Sequence, residues 1–336
     1  MYKVLRWFLF LLPPERAHYF TMRMFKWALN IPGLANQYQF DNNRLKLDGL
    51  NYKNRVGMAA GFDKDGKFIE QLNALNFGFV EIGTVTPRPQ GGNPKPRLFR
   101  LKHDQALINR MGFNNEGVKA LKGRLETFRK KNKASDMLIG LNIGKNKLTP
   151  NEKAFEDYIY CYKSLYELGD FFVVNVSSPN TPNLRELQEK GPLRKILAPL
   201  VEYRNSEDIY KPLYLKIAPD MPFEHLDQII ELQEELGFEG IVATNTSVDR
   251  TLLQFTTART LSDIGDGGLS GAPVLQVSNS FVKHIRSKSN MTIIGVGGIH
   301  TTEDGQSKLD AGANLLEVYT GFIYSGPSLI KKLAQL

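Results

Sequence analysis

The segment Asn175-Val-Ser-Ser-Pro-Asn-Thr-Pro182 contains the side chain best suited to react with a substrate. Ser178 follows a short apolar run and precedes a proline-stiffened loop, so its hydroxyl can face a ligand. Serine is a poor base at its ordinary pKa, and proton abstraction therefore requires a dry site and a substrate proton acidified by an adjacent carbonyl. The sequence has no Gly-x-Ser-x-Gly turn, which argues against hydrolase chemistry at Ser178.

Two lysines and a group of asparagines could hold an electron-rich ring next to that hydroxyl. Lys64 and Lys216 both follow mostly apolar runs, which predicts that their ammonium groups point into a shared site. A fixed cation of this kind stabilises the anionic reduced form of a flavin ring. An asparagine offers a donor and an acceptor, which suits the edge of a heterocycle with carbonyl and N–H groups. The asparagines concerned are Asn109, Asn175, Asn180 and Asn245.

These side chains are far apart in the sequence, so secondary-structure elements must bring them together. The sequence contains a regular series of predicted strands and helices that can do this. From residue 55 onward, short runs rich in Val and Ile alternate with segments of helical spacing, as in repeated βα units. The runs are 56–60, 79–85, 138–143, 171–176, 213–217, 240–243, 292–296 and 315–318. Parallel strands of this number with crossover helices close into a (β/α)8 TIM barrel, the α/β fold that we predict. The alternative is a doubly wound open sheet, but the first strand lacks a Gly-x-Gly-x-x-Gly turn.

Polar residues concentrate where the predicted strands end. A barrel builds its active site at the carboxyl ends of its strands, and here those ends carry amides, hydroxyls, lysines and glycines. One polar strand end is ordinary loop chemistry, whereas polar ends all around the ring favour a single site. Two hairpins are also predicted: residues 45–52 turn at Asp48-Gly49 and could plug the bottom of the barrel, and residues 97–110 lie on the top face.

Glycines after the last two strands indicate a phosphate site. Barrel phosphate sites recur in the loops after strands seven and eight, where backbone N–H groups and a short helix face the anion. Gly297-Gly298 and Tyr319-Thr320-Gly321 occupy these loops, and residues 268–271 add a third donor-rich segment. Glycine suits them because a Cβ would hold the backbone away from the phosphate. The alternative interpretation is that they are turns and helix caps only.

Composition limits the class of ligand and the compartment. The chain of 336 residues has 43 basic and 35 acidic residues, a net charge of +8, which suits an anionic ligand or membrane surface. The basic residues are scattered, which argues against nucleic acid. Cys161 is the single cysteine, so an internal disulfide and a thiolate-bound metal are excluded and a reducing location is indicated. No His-x-x-x-His pair offers an imidazole metal site.

Residues 1–40 are predicted to form a helical extension that precedes the barrel domain of residues 41–336. Residues 4–12 are mainly apolar, but Pro13-Pro14-Glu15-Arg16 follows where a signal peptide would have its cleavage site. The run is also about half the ~20 residues that span a bilayer. A second helix should begin at Pro14 and carry large apolar residues among basic ones. Two such helices resemble an interfacial membrane anchor; the alternative is a hairpin that packs on its own domain.

Seven segments with unusual residue combinations occur together in one enzyme family. They are Pro14-Glu-Arg-Ala-His18, Ala59-Ala-Gly-Phe-Asp-Lys-Asp-Gly66, Glu81-Ile-Gly-Thr-Val-Thr-Pro-Arg-Pro-Gln90, Pro96-Arg-Leu-Phe-Arg100, Asn109-Arg-Met-Gly-Phe-Asn-Asn115, residues 175–182 and Ile294-Gly-Val-Gly-Gly-Ile299. In this order and over essentially the whole chain, the sequence resembles dihydroorotate dehydrogenase, in particular its class 2, membrane-associated and quinone-linked branch. Class 1 members are similar in the barrel but have cysteine at the base position. Ser178 and the N-terminal extension therefore indicate class 2.

The resemblance implies oxidation of (S)-dihydroorotate to orotate in pyrimidine (UMP) biosynthesis, with FMN as hydride acceptor and a quinone as final electron acceptor. Ser178 would take the substrate C5 proton while a hydride leaves C6. The implied FMN-binding residues are Ala60, Gly61, Phe62, Asp63, Lys64, Thr84, Asn142, Asn175, Lys216, Thr244, Gly271, Gly298, Tyr319 and Thr320. The implied substrate-binding residues are Lys64, Asn109, Arg110, Met111, Gly112, Phe113, Asn175, Asn180, Asn245 and Thr246. His18, Arg100 and Tyr319 would lie near the quinone, although a packing role within the helices is the alternative for His18.

The same resemblance implies a peripheral protein on the cytoplasmic face of the cell membrane, without an obligatory protein subunit, and a lid formed by residues 181–191. One rival is another FMN barrel, such as a dihydropyrimidine or hydroxyacid oxidoreductase. A hydroxyacid oxidase would need a histidine at the barrel mouth, where only His300 follows a strand end. A second rival is a membrane-bound phosphate or nucleotide binder on a decayed barrel, which the intact Ser178, Lys64 and Lys216 argue against.

Overall fold

Eight parallel strands form a closed barrel, as the alternation of apolar runs predicts. The computed structural model describes residues 2–31, 33, 38–40 and 43–336. In chain order its strands are β1 (Leu45–Leu47), β2 (Leu50–Tyr52), β3 (Val56–Met58), β4 (Phe79–Val85), β5 (Leu98–Leu101), β6 (Ala106–Asn109), β7 (Leu138–Ile143), β8 (Phe171–Asn175), β9 (Leu213–Ile217), β10 (Gly240–Ala243), β11 (Gly268–Gly271), β12 (Thr292–Val296) and β13 (Leu315–Val318). The barrel runs β3-β4-β7-β8-β9-β10-β12-β13 and closes back on β3. Each barrel strand lies within, or coincides with, one of the predicted runs.

Helices surround the barrel and precede it. In chain order they are α1 (Tyr2–Leu9), α2 (Pro14–Ala28), α3 (Ile69–Ala74), α4 (Gly117–Lys131), α5 (Ala154–Leu165), α6 (Lys190–Ser206), α7 (Phe223–Leu236), α8 (Ala258–Ile264), α9 (Leu275–Lys288), α10 (Thr302–Asp310), α11 (Thr320–Ser325) and α12 (Ser328–Leu333). Because helices cover the outer face of the sheet and side chains fill its inner face, the strands are buried on both sides. This explains why they appear in sequence as nearly continuous apolar runs. Cys161 is buried on α5, in the core.

Aromatic side chains fill the bottom of the barrel. Phe79, Phe171 and Tyr214 come from three neighbouring parts of the ring and form one fully buried cluster. Gly140 leaves room for one of these rings, because a Cβ there would lie 2.2 Å from carbons of the Phe171 ring. The barrel interior is therefore a packed core at this end, and space for a ligand remains at the other end.

The predicted hairpins are both present. β1 and β2 pair antiparallel and turn at Asp48 and Gly49, whose φ angles are 48° and 78°. The Tyr214 hydroxyl donates a 2.5 Å hydrogen bond to Asp48, which fixes this hairpin across the barrel floor. On the top face β5 and β6 pair antiparallel, and β11 adds a third strand beside β6. This small sheet walls one side of the strand ends.

The N-terminal helices have features both of a hairpin packed on its own domain and of an interfacial membrane anchor. They pack on the barrel, because the Tyr2 hydroxyl donates to the Ile323 carbonyl at 2.6 Å and α2 buries Ala17 and Met22. They also leave large apolar side chains in solvent, with Trp7 62% and Trp27 73% exposed. Among the described residues, no helix combines the length and the apolar character needed to cross a membrane.

Candidate active site

One cavity lies at the carboxyl ends of the barrel strands, beside the sheet formed by β5, β6 and β11. Most of the residues predicted to bind a cofactor or substrate line it. They are Ala60, Gly61, Lys64, Thr84, Asn109, Met111, Gly112, Phe113, Asn175, Ser178, Asn180, Lys216, Thr244, Asn245, Thr246, Gly271, Gly298, Tyr319 and Thr320. The fold thus brings together side chains from opposite ends of the sequence.

Four of the residues predicted to bind FMN or substrate lie outside the wall of this cavity: Phe62, Asp63, Arg110 and Asn142. The Arg110 guanidinium turns away from the cavity, donates to the Ile264 carbonyl and lies over the Phe99 ring, 4.7 Å from its centroid. The buried Asp63 carboxylate accepts hydrogen bonds from backbone amides of the segment that leads into α3, including that of Phe68 at 2.7 Å. Arg110 and Asp63 therefore stabilise loops around the cavity through these contacts rather than line it.

Ser178 sits among amides at the cavity wall and is 7% exposed. Its Oγ accepts a 3.3 Å hydrogen bond from the Asn180 backbone, and the Asn180 side chain donates to the Asn109 amide oxygen at 3.0 Å. On the other side, the Asn245 side chain donates to the Ser177 hydroxyl at 3.0 Å. The amides are therefore held in place by one another and by backbone, so they present fixed donors and acceptors to a ligand.

Lys64 supplies a cation to the cavity. Its ammonium group donates to the Gly61 carbonyl at 2.8 Å. Burial, and secondarily the nearby Arg97 guanidinium, lowers the pKa of Lys64 to about 8. An anionic ligand in the cavity would favour the charged form and so bind together with a proton on this lysine.

Lys216 forms the centre of a buried charged cluster beneath the cavity. Its ammonium group lies 2.8 Å from Glu81 Oε2 and 3.5 Å from Glu317 Oε2. Asn142, which is also fully buried, donates to the other Glu81 oxygen and accepts from the Thr84 hydroxyl. Glu317 was not among the predicted site residues, although a glutamate within the apolar run 315–318 was a signal that could have identified it.

The part of the cavity wall that follows strands β10 to β13 has the features of an anion site. Gly271, Gly297 and Gly298 have φ angles of 106°, 123° and 78°, in a region that side-chain-bearing residues rarely adopt. Thr320 begins α11, where helix geometry leaves the first amides without partners inside the helix. The Thr244 hydroxyl lines the cavity, is buried and has no hydrogen-bond partner within the described part of the chain. A phosphorylated heterocycle fits this set, because it would accept from these amides and satisfy that hydroxyl.

A second, largely apolar cavity of about 780 Å³ lies between the N-terminal helices and the barrel. It is lined by all three residues predicted near a quinone, His18, Arg100 and Tyr319, and also by Phe62 and Asp63. Arg100 donates to the carbonyl of Leu12, in the α1–α2 connection, at 2.7 Å. Burial lowers the pKa of His18 to about 4, so this imidazole is neutral near pH 7.

The two cavities share part of their walls. The residues that line both are Gly61, Lys64, Leu98, Leu107, Met111 and Tyr319. Tyr319 packs edge-on against Phe62, with ring centroids 5.7 Å apart, and its hydroxyl lies 3.4 Å from the Gly61 carbonyl. A ring bound in the first cavity would thus have one edge close to the second.

Arg185 holds the predicted lid against the site, and nothing in its sequence context revealed this role. Its guanidinium donates to the carbonyls of Ser177 and Thr246, each at 3.1 Å, and pairs with Asp220 at 2.9 Å. These partners follow three successive barrel strands. One side chain therefore fixes the loops after β8, β9 and β10 relative to one another.

Comparison with known proteins agrees with this architecture. The family model described as dihydroorotate dehydrogenase matches residues 44–336. A dihydroorotate dehydrogenase (quinone) of Christiangramia forsetii is 51% identical over 100% of this chain and 98% of its own, and one of Gloeobacter violaceus is 45% identical over 99% and 92%. The crystal structure of DHODH in complex with ferulenol from Eimeria tenella superposes with a TM-score of 0.83 at 34% identity, covering 96% of this chain and 90% of that one. The chain therefore belongs to the dihydroorotate dehydrogenase family.

Proposed function

We propose that this protein oxidises (S)-dihydroorotate to orotate, with FMN as the hydride acceptor and a membrane quinone as the final electron acceptor, in pyrimidine biosynthesis. The observation that carries the proposal is the position of Ser178 among fixed amides in a cavity that adjoins a second, apolar cavity. The first cavity offers the cations, amides and hydroxyls that a polar anionic substrate and a phosphorylated cofactor would need. The second suits an apolar acceptor that approaches from the membrane.

FMN would be held at two ends of the first cavity. Gly271, Gly298 and Thr320 would offer backbone amides to its phosphate, and Thr244 and Lys216 would hold its ring. When bound, FMN supplies an acceptor for the hydride that leaves C6 of the substrate. The remaining tasks belong to the side chains of the protein.

The chain binds the substrate and removes its proton. Lys64 offers a cation to the substrate carboxylate, and the amides of Asn109, Asn180 and Asn245 match the carbonyl and N–H groups of the pyrimidine ring. Ser178 takes the C5 proton, which the adjacent carbonyl of the substrate makes acidic, and its own hydroxyl proton passes to a water molecule in the same step. Ser178 is largely shielded from bulk solvent, which limits competition between water and the substrate for its hydroxyl group.

The N-terminal helices would deliver the quinone. We propose that residues 1–40 form a unit that lies on the cytoplasmic face of the cell membrane, with its exposed Trp7 and Trp27 in the lipid interface. The quinone would then enter the second cavity beside His18 and Arg100 without leaving the apolar phase. No obligatory protein subunit is needed for this arrangement.

The visible spectrum of the purified protein tests the proposal. The protein should be yellow, and anaerobic dihydroorotate should bleach it. Ser178→Ala should slow bleaching by roughly 10² to 10⁴ while FMN stays bound, since loss of a general base typically costs that much. Dithionite is the control, because it should bleach both proteins alike. A colourless protein contradicts the flavin assignment, a yellow protein that dihydroorotate does not bleach contradicts the substrate, and unchanged bleaching in Ser178→Ala removes Ser178 from its role.

A further inference from the structure

Glu81, Lys216 and Glu317 place one cation between two carboxyl groups in the interior of the barrel. Both carboxyl side chains are fully buried, and the ammonium side chain is 6% exposed. With all three groups ionised, the cluster would carry a net charge of −1 in a region shielded from bulk solvent. Such a charge is costly, and a second carboxylate near the first avoids it by keeping its proton.

The two carboxyl groups are not equivalent. Glu81 accepts hydrogen bonds from Lys216 and from the Asn142 amide, both of which stabilise its ionised form. Glu317 Oε2 is 3.5 Å from the ammonium group, and its Oε1 is buried without a hydrogen-bond partner among the residues that the structure describes. Glu317 also lines the first cavity, whereas Glu81 does not. The environment of Glu317 thus favours an uncharged acid that faces the ligand.

The pKa directions agree with this geometry. Burial and the neighbouring Glu81 raise the pKa of Glu317 well above its ordinary value. Burial raises the pKa of Glu81, but the attraction of Lys216 and the hydrogen bonds with Glu317, Lys216 and Asn142 together outweigh it, and the pKa falls. Burial opposes the charge on Lys216, yet the two carboxyl groups together raise its pKa.

We propose that Glu81 and Glu317 share a single proton, which keeps Lys216 charged within a neutral cluster and thereby sets the reduction potential of the cofactor. The inference rests on the FMN site proposed above. Glu81 and Glu317 act as positioning residues through Lys216. An ionised Glu317 would add a negative charge to the cavity wall and disfavour the anionic reduced ring, whereas the shared proton leaves the cation of Lys216 effective there.

A double-substitution cycle tests the shared proton. In Glu317→Gln, Glu81 still balances Lys216; in Glu81→Gln, Glu317 gives up its proton and takes over that role. Each single variant therefore keeps a neutral cluster, and we expect the equilibrium constant for flavin reduction to change less than threefold. The double variant lacks both carboxyl groups that raise the pKa of Lys216, so burial favours the neutral amine and the constant should fall at least tenfold, about 30 mV for a two-electron couple. Dye-coupled titration with dithionite measures these potentials without dihydroorotate.

Additive effects of the two substitutions, or a double variant whose potential matches or exceeds that of the unsubstituted protein, would overturn the proposal. Infrared spectroscopy gives a second readout that does not depend on the flavin, and its measurement on the unsubstituted protein requires no folded variant. The unsubstituted protein should show a carboxylic-acid C=O band that shifts in D₂O, and each folded single variant should lose it. Absence of a buried acid band from the unsubstituted protein contradicts the shared proton. A colourless protein that shows the band contradicts the FMN proposal alone.

Discussion

Glu15 connects α2 to the barrel, and Glu15→Gln tests whether the docked helices form the quinone site. Arg97 donates to the two Glu15 oxygens at 2.9 to 3.3 Å, and the two side chains are 7% and 16% exposed. Arg97 also donates to the Gly91 and Asn93 carbonyls at 2.6 and 3.0 Å. Substituting Glu15 leaves those contacts in place, whereas substituting Arg97 would also release residues 91–93, where the Asn93 side chain donates to the Asn180 carbonyl at 3.1 Å.

The magnitude follows from the burial of this pair. Removing one partner of a buried ion pair costs about 3 to 5 kcal/mol, and the partial exposure of Glu15 places the cost near 3 kcal/mol. That weakens the docking equilibrium of α2 by more than about a hundredfold. Because Glu15 lines only the second cavity, we expect kcat/KM for a short-chain soluble quinone to fall at least tenfold. The rate at which dihydroorotate bleaches the flavin should change less than about threefold.

The neighbouring Arg16 provides the control, since it is exposed and on the same turn of α2. Arg16→Gln should leave both half-reactions unchanged with the soluble quinone. Limited proteolysis reports whether α2 is released in Glu15→Gln. If α2 is released and quinone reduction is unaffected, the second cavity is not the quinone site; if α2 stays protected, the assigned strength of the ion pair is wrong.

Two further substitutions test the phosphate side of the barrel. Gly298→Ala should lower the flavin content of the purified protein at least tenfold, because the added Cβ would lie 2.4 Å from Leu275 Cβ and residue 298 has a φ of 78°. The ratio of flavin to protein absorbance measures this content, and a full flavin content in the variant would contradict the prediction. Its control, Gly123→Ala, has free space in helix α4 and should raise the free energy of unfolding by about 0.5–1 kcal/mol. Lys308 is fully buried and donates to the Ser278 hydroxyl at 2.7 Å, and burial lowers its pKa to about 7. The folded state therefore binds fewer protons than the unfolded state between pH 7 and 10.5. The free energy of unfolding should therefore rise with pH across this window, by an upper bound of about 5 kcal/mol, and urea titrations should show that Lys308→Met flattens the rise while exposed Lys122→Met retains it.

Much of the fold was predictable because a parallel barrel imposes strong local signals. Strands buried on both faces must be apolar throughout, so the runs at 138–143 and 213–217 coincide with β7 and β9. The turn at Asp48 and Gly49 was predictable because few residues adopt its positive φ angles. The strand ends were predictable as a candidate site because polar residues follow the apolar runs all around the ring, whereas polar residues after a single run would be ordinary loop chemistry.

The direction of individual side chains was not predictable, because it depends on contacts made far along the chain. Arg110 lies within a motif beside the cavity, yet its guanidinium leaves the site to reach carbonyl groups near α8. Arg185 resembles any charged lid residue until the carbonyls of Ser177 and Thr246 are brought to it by separate strands. Only the closed barrel reveals which charged residues meet.

Lys216 shows how groups in the barrel interior determine the charge at the carboxyl ends of its strands. A lysine that ends an apolar strand would be expected to lose its proton, because burial opposes its charge. Here the opposing carboxyl groups come from strands β4 and β13, which lie on the far side of the ring from β9, and they reach the lysine only across the closed barrel. An open sheet would leave the three groups apart, and the same sequence would then present a neutral amine to its ligand. The electrostatic character of the proposed cofactor site thus depends on barrel closure as much as on the residues that line the cavity.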